Sequence, residues 1–193
     1  MKLWLARHAQ PLVAPGICYG RLDVAADADA TAECARQLAA HLPKGIRVVS
    51  SPLQRCEQLA QALQGLRPDL AYTTDPRLQE MDLGLWEGRA WQAIAQAELQ
   101  AWTRHFADYA AGGSGESVTA FMARVASVFD ELQGSDDTLW VTHAGVIRAV
   151  ELLAQGLRQI ERADQWPVDA PDYGQWRTLD LPIGSIGSIG SIG

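Results

Sequence analysis

Two histidines and two arginines of this sequence stand just after apolar segments that are predicted to be strands. One such segment ends in Arg7 and His8, and another is followed at once by His143. Arg55 lies early in the helix predicted after a third segment. In open α/β sheets, ligands bind in the crevice outside the carboxyl ends of the strands. We therefore expect these four side chains to converge on one crevice.

Together these groups suit a bound anion, and phosphate in particular. The planar guanidinium forks of Arg7 and Arg55 match the oxygens of a phosphate group. Ser51 is predicted to cap the helix that carries Arg55, whose positive end favours an anion. The amides of Ala144 and Gly145 are predicted to point toward the same place, because the first N–H groups of a helix are unpaired. The sequence therefore predicts a phosphate cradle.

The competing interpretation is that these residues are ordinary surface or structural side chains. That is the usual case for a lone arginine or histidine, and we apply it to His41 and His105, which fall within or at the end of predicted amphipathic helices. This interpretation is less suited to His8 and His143, because these two histidines occupy equivalent topological positions, each next to an element that carries an arginine.

The elements that must position these groups alternate along the chain. Strands are predicted at residues 3–5, 46–50 and 138–142. Strands that alternate with helices predict an α/β fold, a three-layer sandwich whose mostly parallel central sheet has helices on both faces. The predicted helices span residues 32–42, 52–63, 91–109, 118–132 and 146–157.

The length of 193 residues suits one domain, which we predict to span residues 1–182. Gly112–Gly115 is interpreted as a flexible connection before a helix that Ser117 caps, and not as a domain boundary. The final stretch, residues 183–193, repeats Gly-Ser-Ile and is predicted to be a tail.

Composition excludes several classes of partner. The net charge of -7 disfavours nucleic acid, whose phosphates require many Lys and Arg side chains. No apolar stretch approaches the roughly 20 residues that a membrane span needs. Cys18, Cys34 and Cys56 are odd in number and form no CxxC pair, so neither a disulfide framework nor a zinc site is predicted. We expect a cytoplasmic protein that binds no metal.

Five separated segments resemble the motifs of the histidine phosphatase superfamily, the phosphoglycerate mutase-like group, in order and approximate spacing. The resemblance runs from Lys2 to Arg148 and implies the phosphoglycerate mutase-like fold and a phosphohistidine intermediate, with no cofactor. The segments are LWLARHAQP, SSPLQRCEQLAQAL, LQEMDLGLWEGR, GESVTAFMARV and VTHAGVIR.

The resemblance also implies a role for each matching residue. His8 matches the nucleophile, and Glu80 matches the proton donor to the leaving oxygen. Ala9 departs from the family pattern, which usually has glycine there, and a methyl group would be unfavourable if the backbone needed a positive φ. The residues expected to hold the phosphoryl group are Arg7, His8, Arg55, His143 and, through its amide, Ala144.

The chemistry of these residues agrees with those roles. Hydrolysis of a phosphate ester in two in-line transfers needs a neutral imidazole, a group that moves protons and fixed positive charge on the equatorial oxygens. Because arginines and a histidine supply that charge, no metal is required.

The group esterified to phosphate should be selected by the loop after the first strand. Tyr19, Gly20 and Arg21 are predicted to contact substrate, the alternative being a turn with a surface arginine. The segments CYGRLDV, EMDLGLWEGR and THAGVIR are most similar to the alpha-ribazole phosphatase branch, which acts in cobalamin biosynthesis. Trp86 and the segment 91–109 are predicted to help Tyr19 form walls for a benzimidazole ribonucleoside.

Two other functions stay open at this stage. One is a phosphoglycerate mutase or a broad-specificity phosphatase, although the compact spacing from Glu80 to His143 favours hydrolysis over the mutase reaction. The other is a phospholigand-binding scaffold without turnover, which only Ala9 supports. The expected partner is a small-molecule phosphomonoester and neither nucleic acid nor membrane, with a homodimer left open.

Overall fold

The computed structural model describes residues 1–132 and 136–182, and its centre is a five-stranded sheet. The strands are β1 Lys2–Arg7, β2 Arg47–Ser50, β3 Tyr72–Thr74, β4 Thr138–Thr142 and β5 Trp176–Asp180. They lie in the order β3-β2-β4-β1-β5, and every neighbouring pair is parallel except β1 with β5. The carboxyl ends of β1, β2 and β4 therefore meet at one edge of the sheet.

Helices connect these strands and cover both faces of the sheet. The helices are α1 Ala28–His41, α2 Gln54–Leu66, α3 Gln96–Arg104, α4 Val118–Phe129 and α5 Ala144–Ala154. Side chains alternate along each strand, so that Leu3, Leu5 and Trp140 pack under α4 and α5, while Ala6 and Leu139 pack under α1 and α2. The predicted three-layer α/β fold is confirmed.

The helix starts follow the predicted capping in one case and not in another. Ser117 caps α4, its side chain accepting from the Ala120 amide at 3.1 Å. The predicted Ser51 cap of α2 is wrong, because α2 begins at Gln54 and the residue at its cap position is Leu53. Ser51 instead directly follows β2, and its hydroxyl accepts from the Leu53 amide at 3.3 Å.

The segment between β3 and α4 departs most from prediction. The helix expected over residues 91–109 is reduced to a 3-10 turn at Trp91–Ala93 and α3. The expected flexible connection at Gly112–Gly115 instead begins in a 3-10 turn at Ala111–Gly113 and is closely packed at Gly112 and Gly115. A Cβ on Gly112, which has φ of 57°, would lie 2.3 Å from the Leu83 carbonyl oxygen. This segment packs on a separate apolar cluster centred on Trp86.

Strands β3 and β5 at the two edges of the sheet were not predicted, and the Gly-Ser-Ile tail at 183–193 lies outside the described residues. All three cysteines are buried free thiols. None of the helices in the described part of the chain combines the length and the apolar character that a membrane crossing requires.

Candidate active site

His8 follows the last residue of β1 and is held in one orientation. Its side chain is only 2% exposed, and its Nδ1 lies 2.7 Å from the Ala9 carbonyl oxygen. A carbonyl oxygen only accepts, so Nδ1 carries the proton and donates it. The lone pair of the neutral ring is therefore on Nε2, the nitrogen left available for chemistry.

Ala9 is accommodated without backbone strain. No residue other than glycine has a positive φ among residues 1–132 and 136–182, so Ala9 does not occupy the conformation that would favour glycine. The Ala9 side chain is 1% exposed and packs in the interior. The departure from the family pattern therefore does not distort the loop that presents His8.

His143 follows the end of β4 and faces His8. The two ring centroids are 5.1 Å apart, and His143 is fully buried. Its Nε2 lies 2.9 Å from the Ser51 hydroxyl and 3.5 Å from the Cys56 sulfur. Burial raises the pKa of the Cys56 thiol, which stays protonated. Ser51 thus fixes the ring of His143, a role that its predicted position as a helix cap did not suggest.

Arg55 brings a positive charge into the interior without a carboxylate partner. It is fully buried, and its Nη1 and Nη2 donate to the carbonyl oxygens of Leu22 and Gly20 at 2.8 and 2.7 Å. Its Nε is buried and has no hydrogen-bond partner. A buried cation held only by neutral acceptors is unfavourable, and a bound anion would compensate its charge.

Arg7 repeats this arrangement from the other side of the site. Its Nη1 donates to the Pro171 carbonyl oxygen at 2.9 Å, and its guanidinium lies 3.8 Å from the centroid of the Tyr173 ring. The Nε of Arg7 is also buried without a partner. Two unpaired guanidinium N–H donors near His8 form a site suited to a tetrahedral anion.

The electric environment keeps both imidazoles neutral. Burial and, to a lesser extent, the charge of Arg55 together lower the pKa of His8 to about 3, against the opposing effect of its hydrogen bond to Ala9. Burial and Arg55 likewise hold the pKa of His143 well below its usual range. At neutral pH, His8 is therefore an unprotonated base and a competent nucleophile.

This burial has a measurable consequence for stability. Because the pKa of His8 falls from 6.5 to about 3 on folding, only the unfolded chain takes up a proton between those values. We expect the free energy of unfolding to fall by about 2 kcal/mol for this group between pH 7 and pH 5. Urea titrations at both pH values should show a smaller fall in the free energy of unfolding for His8→Gln than for His105→Gln. Equal falls in the two variants would contradict the lowered pKa of His8.

Glu80 is held by two backbone amides at the entrance to α5. Its Oε2 accepts from Gly145 N–H at 3.0 Å and its Oε1 from Met81 N–H at 3.2 Å. The prediction that the Gly145 amide is free to meet phosphate is therefore wrong, because Glu80 occupies it. Ala144 is the first residue of α5, where helix geometry leaves the N–H without an intrahelical partner.

Gly145 is required by this contact. A Cβ at position 145 would lie 2.2 Å from Glu80 Oε1, closer than any side chain allows. The absence of a side chain thus lets the carboxylate approach the start of α5. The Glu80 carboxyl group therefore lies beside α5, the helix that follows His143, at the same edge of the sheet as the two histidines.

Arg124 anchors the backbone that carries Glu80. Its Nη1 donates to the carbonyl oxygens of Arg77 and Gln79 at 2.8 and 2.9 Å, and its Nη2 donates to that of Glu80 at 3.2 Å. An ion pair of 2.7 Å with Glu116 holds the guanidinium in place. The sequence did not indicate this role of Arg124, although Arg124 and Glu116 both lie in the motif GESVTAFMARV.

The loop predicted to contact substrate reaches the site only in part. Gly20 packs against the backbone after Glu80, since a Cβ there would lie 2.0 Å from the Met81 carbonyl oxygen. Tyr19 reaches the arginines, with the Arg55 guanidinium 5.5 Å from its ring centroid. Arg21 is exposed and forms a 3.3 Å ion pair with Asp82.

The predicted walls of tryptophan are not part of the crevice. Trp86 has no exposed surface, and its Nε1 donates to Glu98 at 2.7 Å, so the side chain serves packing. Tyr173, which the sequence did not single out, lies instead beside the site, its ring centroid 5.6 Å from that of His8. Among the described residues, no cluster of three or more His, Cys, Asp or Glu side chains is arranged to hold a metal ion.

Comparisons with solved structures agree with the overall fold. Solved structures of similar fold include a phosphoglycerate mutase from Thermus thermophilus, with 29% identity, 95% of each chain covered and a TM-score of 0.71. They also include a mycobacterial glucosyl-3-phosphoglycerate phosphatase, with 25% identity, a TM-score of 0.76 and coverage of 93% of this chain and 89% of that one.

The family assignment comes from the sequence as a whole. No curated protein matches the chain in a sequence comparison. The model of the histidine phosphatase superfamily, branch 1, matches residues 3–180, a range that contains every site residue described above. This chain therefore belongs to the histidine phosphatase superfamily.

Proposed function

We propose that this protein is a phosphomonoesterase that works through a phosphohistidine on His8. One observation carries the proposal. The imidazole is fixed by Ala9 with Nε2 unprotonated, beside the guanidinium groups of Arg7 and Arg55, whose buried Nε donors lack partners. A neutral nucleophile next to unused cationic donors suits attack on an anionic phosphoryl group.

In the first step, Nε2 of His8 attacks phosphorus in line with the ester oxygen. The P–N bond forms while the P–O bond to the alcohol breaks, and the charge on the equatorial oxygens is stabilised by Arg7 and Arg55. Glu80, in its protonated form, gives a proton to the departing oxygen. The products of this step are a free alcohol, a phosphohistidine and the Glu80 carboxylate.

In the second step, the Glu80 carboxylate takes a proton from water as the water oxygen attacks phosphorus. The P–N bond breaks, inorganic phosphate leaves, and His8 regains its neutral ring with the proton still on Nδ1. The Glu80 carboxyl group is protonated again. The two amides that hold Glu80 keep it near the same oxygen position in both steps.

For the substrate we propose alpha-ribazole phosphate, whose dephosphorylation is a step of cobalamin assembly. We further propose that the protein is cytoplasmic and that residues 1–182 form a single domain. The segments around Tyr19, Glu80 and His143 support this choice by their similarity to the alpha-ribazole phosphatase branch. The free thiols fit a reducing compartment. A scaffold without turnover is disfavoured because His8 and Glu80 are both present and oriented.

A phosphoglycerate ester is the second candidate substrate. The names of the two structural relatives favour it, since one is a phosphoglycerate mutase and the other a glucosyl-3-phosphoglycerate phosphatase. The compact spacing from Glu80 to His143 does not separate hydrolysis from the mutase reaction, because the Thermus mutase is matched over 95% of its length.

Phosphate release from alpha-ribazole phosphate, 3-phosphoglycerate and glucosyl-3-phosphoglycerate, measured with and without a chelator, tests the proposal. We expect kcat/KM for alpha-ribazole phosphate to exceed the others by about tenfold or more, since contacts with the alcohol decide selectivity. Chelator should leave all rates unchanged, because arginines supply the positive charge. A best value for either glycerate ester would favour the second candidate, and strict dependence on added magnesium would contradict the mechanism.

A further inference from the structure

Two tyrosines from distant parts of the chain meet at the mouth of the phosphate site. The hydroxyl oxygens of Tyr19 and Tyr173 are 2.5 Å apart, although 154 positions separate the residues. Tyr19 belongs to the loop after β1, and Tyr173 belongs to the segment before β5. We call these two residues the tyrosine pair.

The ring faces of the tyrosine pair are turned toward the two arginines. The Arg7 guanidinium lies 3.8 Å from the Tyr173 centroid, and the Arg55 guanidinium lies 5.5 Å from the Tyr19 centroid. Cation–π contacts of this kind hold a ring and a guanidinium in a fixed relation. The face of Tyr173 is therefore occupied and does not offer a stacking surface for a flat aromatic alcohol.

The hydroxyl groups of the tyrosine pair retain unused hydrogen-bonding capacity. Each hydroxyl has one donor and two acceptor positions, so two that bond to each other leave one O–H hydrogen and several lone pairs over. Burial and the bond to Tyr173 raise the pKa of Tyr19, while the nearby arginines oppose that rise, and the group stays a hydroxyl at neutral pH. The pair can thus both donate to and accept from a polar ligand.

Tyr173 is held rigidly in this place by the turn that contains it. The Gly174 amide donates to the His8 carbonyl oxygen at 3.0 Å, and the Gly174 carbonyl oxygen accepts from the Cys34 thiol at 3.1 Å. The Gln175 amide closes the turn on the Asp172 carbonyl oxygen at 3.0 Å. The position of Tyr173 relative to His8 is therefore set before any ligand binds.

Tyr19 belongs to a loop that packs against the segment carrying Glu80. Gly20, the next residue, packs on the backbone of Met81, which follows Glu80. An alcohol that receives its proton from Glu80 therefore leaves on the side of the site where this loop lies. The phosphoryl group already has Arg7, Arg55 and His143 around it, whereas the alcohol has no other assigned contact in the site.

We propose that the hydroxyls of Tyr19 and Tyr173 select the alcohol, exchanging their mutual hydrogen bond for bonds to hydroxyl groups next to the ester. The favoured substrates are then phosphomonoesters of hydroxyl-bearing alcohols, such as sugars and polyols. The inference rests on the proposed function, because it concerns the leaving group of that reaction. A site built to bond a substrate hydroxyl discriminates strongly against an analogue that lacks it.

The test compares glycerol 1-phosphate with n-propyl phosphate, two alkyl esters that differ in hydroxyl groups. For the wild type we expect kcat/KM to be at least about tenfold higher for glycerol 1-phosphate. Tyr19→Phe and Tyr173→Phe keep the rings over the arginines and remove only the hydroxyls. Each should reduce that ratio by about tenfold, mainly through KM for the glycerol ester, and leave inhibition by inorganic phosphate unchanged.

Tyr109→Phe is the matched control, since Tyr109 packs beside Trp86 in the separate apolar cluster, and it should keep the wild-type ratio. The inference is overturned if both tyrosine-pair variants keep the ratio, or if they lose activity equally on the two esters. If the wild type hydrolyses neither ester nor any other phosphomonoester, the proposed function itself has failed and the inference fails with it.

Discussion

Replacing His8 with alanine is expected to lower phosphate release from any phosphomonoester by at least about a thousandfold. No other imidazole can substitute, because the Nε2 of His143, the nearest ring, is tied to Ser51 at 2.9 Å. Inorganic phosphate should still bind, since Arg7 and Arg55 remain. Steady-state kinetics with alpha-ribazole phosphate, together with calorimetric titration of phosphate, measure the two effects separately.

The control for this result is His105→Ala, because His105 is an exposed residue at the end of α3 and should keep full activity. His8→Gln, which fills more of the buried space, guards against a loss that reflects folding alone. Both His8 variants should be equally inactive while retaining cooperative unfolding. Activity within about tenfold of the wild type in a folded His8 variant would contradict the role of nucleophile.

Replacing Glu80 with glutamine should produce a loss that depends on the leaving group. For alkyl phosphates, whose alcohols need a proton as they depart, we expect kcat to fall by about 100-fold to 10,000-fold. With p-nitrophenyl phosphate, the phosphorylation of His8 barely needs that proton, because p-nitrophenolate leaves readily without it. A burst of p-nitrophenol should therefore persist, even though the later hydrolysis step is slowed. Stopped-flow absorbance with the aryl ester and phosphate assays with the alkyl ester distinguish the two steps.

Gly145→Ala offers an independent route to the same effect. The added methyl group would lie 2.2 Å from Glu80 Oε1, so the carboxylate must move away from the start of α5. We expect the same dependence on the leaving group as for Glu80→Gln. Glu33→Gln, at an exposed position on α1, should leave the rates of hydrolysis of both esters unchanged. For Glu80→Gln, equal losses in the rate of His8 phosphorylation by the alkyl and aryl esters would remove Glu80 from the acid role.

The central part of the fold was predictable because its strands are short apolar runs separated by helical segments. The edges were not. Strand β3 is three residues long with exposed threonines, and β5 mixes charged, polar and apolar residues at the rim. Their pairing with β2 and β1 comes from tertiary contact and not from local apolar character. The helix predicted over residues 91–109 failed for a similar reason, since its tryptophans pack among separate turns.

The convergence of Arg7, His8, Arg55 and His143 could be predicted because the carboxyl ends of parallel strands share an edge. The groups that orient them could not. Ser51 reaches His143 across 92 positions, and Tyr173 reaches Tyr19 across 154. No periodicity or motif encodes such contacts, which exist only once the chain is folded. The use of the Gly145 amide by Glu80 was hidden in the same way.

The most direct test of the account is to trap the phosphorylated enzyme in Glu80→Gln. With p-nitrophenyl phosphate, this variant should form the phosphohistidine readily but hydrolyse it slowly, because no carboxylate is present to deprotonate water. Rapid quenching in base followed by peptide mass spectrometry should find about one phosphoryl group per chain, bound to His8 and labile to acid. A stable phosphoryl group on another residue, or a burst of p-nitrophenol without any phosphorylated His8, would contradict the mechanism.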